Sequence, residues 1–169
     1  MSLVTAVPVK ASTFYTIDAA GELTNGETVV IAGKTYTAQA TLTDSDGNFH
    51  IGATIADTVA NLVAAINLSN EGESAVGAGT DYAASMTRNT MVHAQMDTAQ
   101  EVVTIIAHAP GEQGNYIPCT AGTSGVTLDN ATLENGAGSL AVWAEEMFAY
   151  NQINSEVMSH LKLLTPAVD

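Results

Sequence analysis

Basic side chains are nearly missing from this chain: 4 Lys and Arg stand against 18 Asp and Glu in 169 residues, a formal charge of −14. A DNA or RNA partner needs a basic face to displace counterions, so nucleic-acid binding is excluded. Docking on an anionic membrane surface is excluded for the same reason. No run of about 18 apolar residues occurs, so no membrane-spanning helix is expected. The single cysteine, Cys119, leaves no intrachain disulfide framework. The opening Met-Ser-Leu-Val-Thr lacks the basic start and apolar core of a secretory signal. Charge of either sign is scarce at 13%, while hydrophobic residues fill 46%, which separates the chain from disordered acidic sequences. Much of the surface must then be Thr, Asn, Ser, Gly and Ala. A surface that bland is easier to understand inside an assembly than on a free enzyme.

What is present reads as strands, one helix and two atypical ends. Residues 1–17 contain no acid, and Pro8 with the Val and Thr content favours extended chain. Residues 1–22 are expected to form an extended N-terminal arm, with Leu3, Val4, Val7, Val9, Phe14 and Tyr15 as its contacts. The alternative, a first strand of the domain itself, stays open. Glu27-Thr-Val-Val-Ile-Ala32 and Thr35–Thr43 are β-rich runs joined at Gly33-Lys34, the pattern of a hairpin. Asp44-Ser-Asp-Gly-Asn48 supplies a turn. Thr54-Ile-Ala-Asp57 fits a capped helix start, and Val59, Leu62, Val63 and Ile66 follow at helical spacing, predicting a helix near 55–67. Residues 91–96 and 101–107 read as a second strand pair, and 126–133 as a last short strand. The fold class is therefore α+β, a small β-rich domain of hairpins with a sandwich-like sheet and one packed helix.

Ser139 opens a different kind of sequence, free of Pro and Gly until Pro166. A C-terminal helix over 139–165 is predicted. With Leu140 at heptad position a, Leu140, Trp143, Met147, Tyr150, Asn154, Val157, Leu161 and Leu164 fall at successive a and d sites. Asn154 occupies an a position, where a buried Asn fixes register and partner number. Phe148 and Ile153 widen the stripe beyond a narrow seam, favouring a helix packed on its own domain or on a neighbouring subunit. These eight residues are the expected assembly helix.

Chemistry-bearing patterns are weak. Asp44-x-Asp46-x-Asn48 begins like a calcium loop, but the loop needs Gly at its sixth position and Glu at its twelfth, whereas Gly47 falls at the fourth and Ile55 at the twelfth. His50, His93, His108 and His160 show no metal-ligand spacing. Thr123-Ser-Gly125 is no nucleophile elbow, and Gly111-Glu-Gln-Gly-Asn115 lacks the Lys-Ser/Thr of a phosphate loop. No catalytic residue, cofactor-binding residue, metal ligand or cofactor is expected.

The order Glu27-Thr-Val-Val-Ile-Ala-Gly-Lys-Thr-Tyr-Thr37, Asp46-Gly-Asn-Phe-His-Ile-Gly-Ala-Thr54 and Ala56-Asp-Thr-Val-Ala-Asn-Leu-Val-Ala-Ala-Ile-Asn67 resembles a structural module recurrent in tailed-bacteriophage virion proteins. Gly79-Thr-Asp-Tyr82, the Val103–His108 strand and Gly111–Asn115 agree with it, so the resemblance spans 23–136. Members usually carry a second Gly where Ala32 stands, and an apolar residue near Asn130-Ala131. The resemblance implies a virion structural protein without catalytic residues, located in the virion after assembly in the bacterial cytoplasm. A capsid decoration or cement protein is the leading expectation. Its partners would be the major capsid protein and further copies of itself, a homo-oligomer with a trimer among the candidates. A tail, neck, collar or fibre-base component is the alternative. A carbohydrate-binding adhesion module ranks lower, because aromatic residues, the usual sugar platforms, make up only 5% of the chain. A glycan-degrading enzyme would need a pair of carboxylates flanking the scissile bond, and the sequence singles out no pair.

Overall fold

The computed structural model describes residues 8–17, 23–68, 78–97, 102–122 and 125–138. Strand β1 runs over Lys10–Ile17, β2 over Thr28–Ile31, β3 over Lys34–Gln39 and β4 over Asn48–His50. Helix α1 spans Ile55–Asn67, followed by β5 (Val92–Met96), β6 (Val102–Pro110), a short 3₁₀ helix (Glu112–Tyr116), β7 (Cys119–Ala121) and β8 (Val126–Leu128). The strands form two four-stranded sheets, ordered β5-β6-β1-β8 and β4-β3-β2-β7. Their buried side chains merge with those of α1 into one core, in which Tyr15, Tyr36, Phe49, Ile31, Leu62, Ile66 and Ile105 are fully enclosed. The domain is α+β and β-rich, with one helix among the described residues.

The β2–β3 hairpin follows from its turn. Ala32 and Gly33 both have positive φ (53° and 79°), the conformation of a two-residue turn whose twist matches its strands. Ala32 therefore occupies a left-handed position that glycine fills more cheaply. Its amide donates to the Pro118 carbonyl at 2.9 Å, which ties the turn to the β7 end of the sheet.

Helix α1 begins where the sequence places it. The Thr54 hydroxyl accepts from the Asp57 amide at 3.1 Å, and the Asp57 carboxylate accepts from the Thr54 amide at 3.2 Å. Such a reciprocal cap is worth about 1 kcal/mol. Thr58, Val59, Leu62, Ala65 and Ile66 form the buried stripe, which packs on β5 and β4. At the other end, the Asn67 side-chain amide donates to the Ala94 carbonyl (2.8 Å) and accepts from the Ala94 amide (2.7 Å). One side chain thus imitates a neighbouring strand and covers part of the β5 edge.

Two short strands lie where turns or nothing regular was expected. β4 pairs parallel with β3, Thr37 opposite Asn48, although only residues 40–47 connect them. Parallel neighbours ordinarily need a dozen or more linking residues. β7 pairs with β2, Cys119 opposite Ile31. The expected arm is corrected over its second half: Lys10–Ile17 is an interior strand, paired with β6 on one side and β8 on the other. Alternation of its side chains buries Ala11, Thr13 and Tyr15, and that burial holds the segment in the domain. Leu3, Val4 and Val7 lie outside the described residues, as does the whole 139–165 helix expected from the sequence, with Leu140, Trp143, Met147, Tyr150, Asn154, Val157, Leu161 and Leu164.

Candidate assembly surface

All eight strands among the described residues are free of Asp and Glu, so the acidity of these residues sits in loops, turns, α1 and the 3₁₀ helix. The consequence is largest on the outward face of the β5-β6-β1-β8 sheet. Register places His93, Ile106 and Ser12 in one row across three strands, and Gln95, Thr104 and Phe14 in the next. Val102, Thr16 and Thr127 make a third row. Phe14 is 43% exposed on interior strand β1, and Met91, just before β5, is 48% exposed. The strand residues of this face include no acid, but charged groups border its rows: Glu134 is bridged to Ser12, the Asp129 amide donates to the Phe14 carbonyl, and the Asp97 carboxylate accepts from the Val102 amide.

Of the sequence-expected arm contacts, Phe14 and Val9 (51% exposed) are on the surface, whereas Tyr15 is not. Tyr15 is fully buried, and its hydroxyl donates to the Val30 carbonyl at 3.1 Å, joining one sheet to the other. Its role as a contact to neighbours is corrected to that of a core residue. Cys119 is buried close by, and burial pushes its thiol above the ordinary value.

The histidines are less scattered than the sequence indicates. His93 and His108 stack on the same sheet face, ring centroids 5.3 Å apart. Partial burial holds His93 below the ordinary imidazole value, with Lys10 and His108 adding to the effect. The pair was invisible in the sequence because it depends on the β5–β6 register, which sets His93 opposite Ile106, diagonal to His108. Among the described residues, no three His, Cys, Asp or Glu side chains converge as a metal site.

The Asp44-x-Asp46 pair is a clamp. Asp46 accepts from the Thr87 amide (2.8 Å), the Thr87 hydroxyl (2.6 Å) and the Lys34 ammonium (2.8 Å). Asp44 accepts from the Ser85 amide at 2.7 Å. Together they pin the 40–47 loop to the segment before β5, which explains how so short a link sustains the parallel β3–β4 pair. Partial burial pushes the Asp46 carboxyl up, but Lys34 and Thr87 outweigh it and bring it down to about 2. A carboxylate whose folded value lies below its unfolded value contributes stability above the unfolded value, 3.8, and loses it as pH falls through about 2. The side chain is 47% exposed, so solvent screening keeps this contribution below about 1 kcal/mol. Urea unfolding between pH 4 and pH 2 is expected to show a small loss of midpoint that is missing in Asp46→Asn. An identical pH slope in both proteins contradicts the clamp.

One corner of the domain brings both chain directions together. The Val9 amide donates to the Ala137 carbonyl at 2.8 Å, and the Ala137 amide returns to the Val9 carbonyl at 3.2 Å. The Glu112 amide reaches the Gly138 carbonyl at 3.2 Å, and Gly138 packs on Pro8. Beside this corner lies an open groove of about 230 Å³, lined by Thr90, Met91, His108, Ala109, Gln113, Gly114 and Ile117. Gly114 lets the 3₁₀ helix close onto β1 and β6: a Cβ there would come within 2.7 Å of the Ala11 methyl. His108 belongs both to the groove and to the outer sheet face, where it stacks on His93, so the two are continuous. Comparison of the chain with protein-family models and with curated proteins gives no match.

Proposed function

We propose that the chain is a structural protein of a tailed-bacteriophage virion, acting as a capsid decoration or cement protein. The observation that carries this reading is the exposure of Phe14 and Met91 on the outer face of the β5-β6-β1-β8 sheet, whose strands contain no acid, on an otherwise acidic chain. The motif order over 23–136 supports the same reading. Such a protein works mechanically: it buries surface across subunit junctions and raises the barrier to their separation. An interface of about 800 Å² per partner, at about 25 cal/mol per Å² of apolar surface, leaves a useful surplus after the entropy of association is subtracted. Acidic loops turned away from the junction would be compatible with a shell enclosing DNA. Partners under this proposal are the major capsid protein and further copies of the chain.

Quantitative mass spectrometry of purified particles tests it. Hundreds of copies per particle are expected for a shell protein. A few to some dozens would move the protein to the tail or neck, and absence from the particles would remove it from the virion altogether. Phe14→Asp, which replaces the exposed aromatic ring of this face with a charge, is expected to lower particle occupancy at least tenfold, the equivalent of about 1.4 kcal/mol.

A further inference from the structure

We propose that the groove between Met91, His108, Ala109 and Ile117 is the seat of Trp143 from the same chain. The described chain reaches Gly138, whose carbonyl accepts from the Glu112 amide, while the next residues of that 3₁₀ helix, Gln113 and Gly114, line the groove. Trp143 stands five positions beyond Gly138. That length of chain covers about 7–8 Å as helix and at most about 17 Å extended, so the groove is within its reach. A free volume of about 230 Å³ suits one large flat ring system, and an indole is a frequent anchor in apolar pockets. Gly136 and Gly138 flank Ala137, and Gly138 has a φ of +77°, so the chain turns at the point where it must leave β1 to reach the groove. Trp143 would then tether the start of the 140–164 segment to its own domain, leaving Asn154, Val157, Leu161 and Leu164 for contacts beyond it.

Trp143 is the one tryptophan of the chain, which makes the full-length protein its own probe. Acrylamide quenching of its fluorescence is measured for the parent, for the guanidinium-unfolded chain, and for Met91→Glu and Ala109→Arg. Both substitutions are at exposed positions, and far-UV circular dichroism verifies that each variant folds; the two are read independently, so one misfolded variant leaves the other decisive. The parent is expected to quench several-fold less than the unfolded chain, at every protein concentration. Each folded variant is expected to lose most of that shielding. Three results overturn the proposal: a parent as quenchable as the unfolded chain, shielding that survives the groove substitutions, or shielding that disappears on dilution and so comes from a second copy.

Discussion

Tyr15→Ala is expected to lower the unfolding free energy by about 3–5 kcal/mol, the cost of removing a large aromatic side chain from a packed core. The ring is wholly enclosed in β1, and its hydroxyl reaches the Val30 carbonyl of the other sheet. Two losses therefore combine: a cavity between the sheets and one hydrogen bond to the Val30 carbonyl. Tyr15→Phe separates them, because it keeps the ring and removes only the hydrogen bond, worth about 1 kcal/mol. Domains of this size have a total stability of about 5–15 kcal/mol, so the alanine variant should show a large fall in urea midpoint. A change within about 0.5 kcal/mol, as for an ordinary surface position, would mean that β1 is a detachable arm after all.

Gly47→Ala is expected to cost about 2–4 kcal/mol, from backbone strain and a steric collision together. Gly47 has a φ of +91°, and a Cβ on it would lie 2.3 Å from the Thr35 carbonyl oxygen. Its own carbonyl accepts from the Thr37 amide at 2.8 Å, so the residue cannot move away without breaking the β3–β4 junction. Gly26 supplies the control. Its φ is +92°, but a Cβ there meets nothing within 4 Å. Gly26→Ala should lose only the strain, about 1 kcal/mol. Equal losses at the two positions, measured by denaturant unfolding, would show that the Thr35 contact relaxes freely and that the 40–47 loop is not fixed by close packing.

Where local chemistry determined structure, the sequence was enough. The Thr54–Asp57 cap needs only four consecutive residues, and the β2–β3 hairpin needs only a turn between two β-rich runs. β4 and β7 were not visible, because three-residue strands are too short to show alternation, and β4 depends on the distant Ser85 and Thr87. β1 was ambiguous for a different reason. Phe14 and Tyr15 are consecutive, so in a strand they must point to opposite faces. Both therefore cannot be surface contacts of one strand, and the structure buries Tyr15 and exposes Phe14. The lack of acids within the strands is plain in the sequence, but which residues share the outer face, and which acids border it, required knowing which strands are neighbours. The His93–His108 pair and the groove both depend on that same pairing.

The joining of Pro8 and Gly138 at one corner also governs how the domain responds to force. Residues 134–137 run antiparallel to residues 9–12, and both chain directions exit at the same end of this pairing. Tension between the two tails would open Val9–Ala137 first and Ser12–Glu134 next, peeling the pair like a zipper instead of shearing all its hydrogen bonds at once. A particle in which this protein resists stretching would therefore have to grip the sheet face itself and leave the tails slack.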